Sequence, residues 1–276
     1  MQYEEIKYEL KTFPINGIEM NVLIAGEGPD VLLVHGYPDT HQVWRKQIPV
    51  LVKAGYRVIA PDTRGCGETE ISPNLQDYHI DNLVADLITL IDALEIDKVR
   101  LVGHDWGSAI SWHLVTHHPE RVDRYVALST GHLSAYTSGG LTQKVKGYYT
   151  MLFQLQGLTE WFLRSGNWLM WRLMTGFPEE QPQWQAQQSR PGRLTAGLNY
   201  YRANTMLFIT GKAPKARVPV MGVWSSGDRF LAEGQMKASA NFVDAPFRYE
   251  RIEGANHWLQ LSGAEQFNPL LVDYLK

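Results

Sequence analysis

Short apolar runs rich in β-branched residues recur along the chain: Val31–Val34, Val58–Ala60, Val99–Val102, Val126–Leu128 and Val218–Val223. Near-continuous hydrophobicity is what a strand covered on both faces requires, so these runs predict a parallel sheet. Helical spacing lies between them. Ile80, Leu83, Val84, Leu87, Ile88, Ile91 and Leu94 fall on one stripe, with Asp81 in the first turn, where a carboxylate suits the helix dipole. Strand and helix in alternation predict an α/β fold with right-handed crossovers. The first 25 residues read differently. Ile6, Tyr8 and Leu10 alternate, then Met20, Val22 and Ile24, which predicts an antiparallel pair.

Residues 131–217 break the rhythm, and no strand-like run appears there until Val218. Helical aromatic patterns such as Trp161-Phe162-Leu163 and Trp168-Leu169-Met170-Trp171 predict an all-helical insert between two strands of the sheet. A small helical layer needs large side chains for a core, which accounts for most of these aromatics. The insert carries ten Lys/Arg, three Glu and no Asp. This balance suits an anionic substrate or simply a solvated outer face. Gln181–Gln188, flanked by Pro178, Pro182 and Pro191, reads as a surface loop or short helix.

The 276 residues are ample for a full core, and 44% hydrophobic with 20% charged is ordinary globular composition. A net charge of −3 points to no polyanionic partner, so no nucleic acid is expected. Cys66 is the only cysteine, so no intrachain disulfide forms, and a reducing compartment fits. The N-terminus is acidic without an apolar run, and no segment is long enough to span a bilayer. The expectation is a cytoplasmic protein with no membrane partner.

The strongest chemical signal is Gly103-His104-Asp105-Trp106-Gly107. A buried strand ends, two glycines bracket a single acid, and a helix begins at once. This is the nucleophile-elbow pattern, with aspartate where serine often stands. An aspartate capping a helix is the plain alternative. The residue type dictates the chemistry. A carboxylate attacking an acyl group gives an unstable anhydride, whereas a carboxylate displacing a leaving group from saturated carbon gives an alkyl ester that water can cleave. Asp105 therefore predicts cleavage of a C–O or C–halogen bond. The base is expected after the last strand, where His257 stands. The acid that orients it is expected after Val218–Trp224, where Ser225-Ser226-Gly227-Asp228 offers Asp228. Glu253 would have to double back within a tight loop. His104 and His113 read as packed or surface residues. Two backbone N–H groups are needed for an oxyanion, and Trp106 and Tyr37 are the candidates. Gly65-Cys66-Gly67 reads as a turn, not a dinucleotide fingerprint, and no metal cluster or cofactor motif is present.

His35-Gly36-Tyr37-Pro38, Asp62–Gly67, Gly103–Gly107, Asp228 and His257 together resemble the epoxide hydrolase and haloalkane dehalogenase branch of the α/β hydrolases. The resemblance spans essentially the whole chain. It implies an eight-stranded, mostly parallel sheet flanked by helices, with residues 1–130 and 218–276 as the core domain and 131–217 as a helical cap. Epoxide hydrolases of this kind hold and protonate the epoxide oxygen with two cap tyrosines. Asn199-Tyr200-Tyr201-Arg202 matches the motif of one, and Tyr149, before Phe153-Gln154, fits the position of the other. Tyr148 and Tyr200 are their neighbouring alternatives, and all of these tyrosines would equally serve as cap core. His35, Pro38 and Trp258 are expected to line the substrate pocket. The resemblance thus implies an epoxide hydrolase, cofactor-free and metal-free, acting on a small-molecule epoxide and water as a monomer or homodimer. The alternative is a haloalkane dehalogenase with Trp106 and Trp168 or Trp171 around the halide. Tyr37 stands where dehalogenases usually carry Asn, and the arginines that follow the nucleophile in fluoroacetate-type enzymes are missing at Trp106 and Ala109-Ile110. A ligand sensor on a retired hydrolase scaffold would have no reason to keep Asp105, Asp228 and His257 together.

Overall fold

The computed structural model describes residues 6–138 and 140–276. The strands are β1 (Tyr8–Ile15), β2 (Ile18–Ala25), β3 (Asp30–Val34), β4 (Arg57–Pro61), β5 (Val99–His104), β6 (Val122–Leu128), β7 (Val220–Gly227) and β8 (Phe247–Asn256). They form one eight-stranded sheet in the order β1-β2-β4-β3-β5-β6-β7-β8. β1 and β2 pair antiparallel, β2 joins β4 antiparallel, and the remaining pairings are parallel. Helices α1 (Ile48–Lys53), α2 (Ile80–Ala93), α3 (Trp106–His117), α11 (Glu233–Ala238), α12 (Leu259–Ser262) and α13 (Ala264–Leu275) accompany the sheet. This is the α/β-hydrolase architecture the sequence implied.

The central strands bury as their composition requires: Val31, Leu33, Val34, Leu101 and Val102 are fully inaccessible. The predicted stripe of α2 faces inward, with Leu83, Val84, Leu87 and Ile91 buried. The same stripe includes Asp86, which is buried against the Arg64 guanidinium. β1 departs from the expected alternation. It is an edge strand, and Leu10 is 54% exposed because no layer covers that face. β8 runs through Asn256, so the stretch 253–256, expected as loop, is strand. β7 starts at Val220 and extends to Gly227, beyond the expected end at Trp224.

Between β6 and β7 lie α4 (Leu133–Ser138), α5 (Gly140–Lys146), α6 (Tyr149–Leu152), α7 (Leu158–Thr175), α8 (Gln181–Ser189), α9 (Arg193–Ala203) and α10 (Thr205–Thr210). The two aromatic patterns predicted in this insert belong to one helix with a kink. Ser165 is extended, and Gly166, Asn167 and Trp168 have positive φ. The glutamine-rich segment is the helix α8, and it is not wholly at the surface. Gln181, Trp184 and Gln188 are buried, because Trp184 reaches down into the sheet's loops. The insert rests on the loops that leave the carboxyl ends of the strands. Tyr200 Oη donates to Thr63 Oγ1 (3.0 Å) and to the Arg64 carbonyl (2.7 Å), Tyr37 Oη meets Gln188, and Arg190 pairs with Glu68. Those carboxyl ends are where open α/β sheets present their functional groups.

Candidate active site

β5 delivers Asp105 into a turn that only a tight local geometry permits. Its φ of 54° and ψ of −120° lie outside the ordinary regions for a side-chain-bearing residue. The turn is held because its neighbours lack side chains. A Cβ on Gly103 would stand 2.6 Å from the Gly107 carbonyl oxygen, and one on Gly36 would enter Asp105 itself. The carboxylate is thereby lifted to the start of α3. There Tyr37 N–H donates to Oδ1 at 3.0 Å, and Trp106 N–H also donates to the carboxylate.

His257 and Asp228 arrive from the ends of β8 and β7. Nδ1 of His257 bonds Asp228 Oδ2 at 2.9 Å, and Nε2 lies 3.4 Å from Asp105 Oδ2. The other oxygen of Asp228 accepts from the N–H groups of Phe230 and Leu231 at 2.8 and 2.9 Å. The base loop is pinned from behind. Nε2 of His104 donates to the His257 carbonyl at 3.0 Å, and Ser129 Oγ donates to it at 3.1 Å. His104 is fully buried and, through burial, held near a pKa of about 3, so it is a neutral packing residue as expected. Burial alone would lower the pKa of His257, but the charges of Asp228 and Asp105 overcome it and raise it well above the ordinary value. Burial pushes both carboxylates up, yet the imidazolium between them brings each below the usual range. The resting trio is a cation flanked by two anions.

Facing the carboxylate from the insert are Tyr149 and Tyr201, whose hydroxyls hydrogen-bond each other; the Trp106 indole bonds Tyr201 as well. Burial and neighbouring ionisable groups push both phenols well above their ordinary pKa, so they stay protonated donors. The reason for the Asn-Tyr-Tyr-Arg pattern is visible. Arg202 reaches Glu160 with both terminal nitrogens and the Phe153 carbonyl with Nε, locking α9 to the α6–α7 corner. Tyr200 faces the opposite way, onto Thr63 and Arg64, and Tyr148 is 64% exposed. Neither alternative tyrosine faces the carboxylate.

A mostly apolar cavity opens over Asp105 and His257, lined by Pro38, Trp258, Tyr149, Tyr201 and further aromatic residues. A second, smaller space adjoins Asp105 from the side of Trp106, Ala109 and Tyr136. His35 lines neither, which corrects the expectation for it. Its ring is buried, donating from Nδ1 to the Gly36 carbonyl (2.8 Å) and accepting at Nε2 from Thr63 N–H (2.9 Å). It shapes the loop that presents Tyr37. Among the described residues no grouping of three or more His, Cys, Asp or Glu side chains could hold a metal ion.

A family model described as alpha/beta hydrolase fold matches residues 29–264. Epoxide hydrolase 3 of Xenopus tropicalis is 32% identical over 279 residues, covering 95% of this chain and 76% of that protein. The chain belongs to the epoxide hydrolase family. Epoxide hydrolase A of Mycobacterium tuberculosis is 30% identical, with 94% of this chain and 95% of that protein covered. AB hydrolase superfamily protein YfhM of Bacillus subtilis is 33% identical over 95% of this chain and 96% of its own. The crystal structure of epoxide hydrolase A from Mycobacterium thermoresistibile superimposes with a TM-score of 0.83 at 26% identity, over 98% of each chain.

Several lining residues of this family member escaped the sequence reading: Phe153, Met174, Thr175 and Phe230. Each is an ordinary helix or loop residue whose inward direction only the tertiary structure fixes. Asp39 also escaped it. This buried carboxylate accepts from the indole N–H of Trp184 and of Trp258, each at 2.8 Å, and so ties α8 to the residue beside His257. Burial raises its pKa to about 7 despite both indoles.

Proposed function

We propose that this protein opens epoxides to vicinal diols through a covalent ester on Asp105, which water activated by His257 and Asp228 then hydrolyses. One observation carries the reading. A carboxylate cradled by two backbone N–H groups faces a His–Asp pair on one side and two phenols on the other. A serine-type hydrolase needs such N–H groups on the substrate; here they bond the enzyme's own carboxylate.

In the first step the Asp105 carboxylate forms a C–O bond to one epoxide carbon, and that carbon's bond to the ring oxygen breaks. The oxygen leaves with the electron pair and takes a proton from Tyr149 or Tyr201. Esterification removes one of the two charges that hold the proton on His257, so its pKa falls. The proton released restores the phenol. The neutral imidazole then accepts a proton from water. Hydroxide adds to Cγ of Asp105, and the oxyanion on Oδ1 is held by Tyr37 and Trp106 N–H. Collapse expels the diol oxygen, which takes the proton of the new carboxyl group. Asp105 returns as carboxylate and His257 as imidazolium. Residues 131–217 serve as the cap that supplies the phenols and, with them, an apolar enclosure for the epoxide.

The dehalogenase alternative needs the Trp106 indole free for halide, whereas here it bonds Tyr201. The test is a parallel assay on an aryl epoxide and a primary bromoalkane, with His257→Gln examined by intact-protein mass spectrometry. Diol without bromide, and an epoxide adduct on Asp105 in the variant, are expected. Bromide without diol, or no adduct, would overturn the reading.

A further inference from the structure

Among the described residues, every exposed large apolar side chain except Leu10 and Leu75 lies in the insert, between Val145 and Ile209. Scattered apolar residues need no explanation, but a contiguous set marks an interaction surface. α7 carries large apolar side chains on its outer side as well as its inner one. Leu163 and Trp171 face the core, while Leu158, Trp161, Phe162 and Leu173 face outward, with Trp161 67% exposed. A helix with that composition expects a partner on its outer side. α6 repeats the pattern, with Tyr149 on the cavity and Met151 outward. α10 joins the same face: Thr205 Oγ1 donates to Gln154 Oε1 at 2.9 Å, which seats α10 beside the α6–α7 corner. The outer apolar surface is thus the back of the wall that encloses the cavity.

The charge of this face selects its partner. On this face Arg164 is exposed and Arg172 partly so, Lys146 turns inward to the Asp228 and Leu231 carbonyls, and the only acid of residues 140–176, Glu160, is buried and spent on Arg202. A second copy meeting this face about a two-fold axis would set the same sign against itself. An anionic lipid surface offers the opposite sign together with an apolar phase, and tryptophan suits the boundary between them. No helix among the described residues is long and apolar enough to cross a membrane. The expectation of no membrane partner rests on that same lack of a spanning segment, and a face lying in the interface needs none.

We propose that the outer face of α6, α7 and α10 docks on an anionic bilayer, and that the cavity takes apolar, membrane-partitioned epoxides from it. The second half rests on the epoxide reading above. The test uses the full chain, sedimented with vesicles of phosphatidylcholine alone or with about a third phosphatidylglycerol. It is compared with a Trp161→Ser, Phe162→Ser double variant and a Leu173→Gln variant. Diol formation is read from a water-soluble aryl epoxide without vesicles and from a long-chain terminal epoxide within them. The expected result is binding at least about tenfold tighter to anionic vesicles, since buried apolar area and charge add. Both variants should lose most of that binding and most vesicle-borne turnover while keeping turnover of the aryl epoxide. No sedimentation, equal binding to neutral vesicles, or unchanged binding by both variants would overturn it. So would a concentration-dependent dimer that the substitutions dissociate. Anionic binding without diol from either substrate would uphold the docking and sink the epoxide reading instead.

Discussion

At the scale of single residues, the proposed chemistry depends on donors and charges that conservative substitutions can remove. Tyr149 and Tyr201 are bonded to each other in the described structure, so either phenol alone can still present a proton to the ring oxygen. Each single Phe variant should therefore lose about 10²-fold in kcat, the usual cost of one preorganised donor, and the double variant all measurable epoxide opening. Steady-state kinetics on one aryl epoxide would decide it; full activity in the double variant would place the acid elsewhere. His257 offers an electrostatic check. Two carboxylates raise its pKa, and ester formation is proposed to neutralise one. Asp105→Asn mimics that neutralisation. The imidazole's NMR titration midpoint should fall by about one unit or more relative to wild type. An unchanged midpoint would remove the link between esterification and base release. The positions of Asp105, Asp228 and His257 were legible in the chain because each stands just past the end of a strand. His35 was not. Its place beside the oxyanion loop suggested a lining role, but Thr63 N–H and the Gly36 carbonyl claim both ring nitrogens.

At the scale of elements, strand order and helix stripes were legible, because burial on two faces or one leaves a period in the sequence. Exposure at the edge was not. Leu10 has the pattern of a covered strand, but what covers a face is decided by residues elsewhere. The same limit hid Asp39, whose partners Trp184 and Trp258 lie 145 and 219 residues away. That carboxylate joins α8, the β3 loop and α12, and its folded pKa of about 7 stands above the ordinary carboxylate value. The folded state therefore holds an extra proton between about pH 4 and 7, and stability from this group declines as pH rises through that window. Asp39→Asn removes the titration. Wild-type stability relative to the variant should fall on the order of 3 kcal/mol from pH 4 to 7, measured by urea unfolding at several pH values. A difference independent of pH would mean that the indoles hold Asp39 ionised throughout.

At the scale of the whole molecule, the sequence divides the chain into a sheet and a helical insert, and the packing argues that the two fold as one. Leu163, Trp171, Trp184, Leu194 and Leu198 of the insert belong to the same buried cluster as the strands. The seam is also polar and satisfied. Tyr200 closes on Thr63 and Arg64, and Asn204 accepts from Ile80 N–H at 2.8 Å and donates to the Tyr78 carbonyl at 2.8 Å. Separating the insert would expose that core and leave those groups without partners, a cost of about 1–3 kcal/mol for each buried polar group stranded. An insert so joined has no stable life of its own, and cooperative loss of both layers follows. Four of the nine tryptophans lie in the insert and five in the remainder, so fluorescence reports on both. Its thermal transition should coincide with that of far-UV circular dichroism. Tyr200→Phe should lower both midpoints together, because it strands two acceptors at the seam. Two separated transitions, with only the first moved by the substitution, would show that the insert opens and melts on its own, and would make access to Asp105 a matter of cap unfolding instead of passage through the cavity mouth.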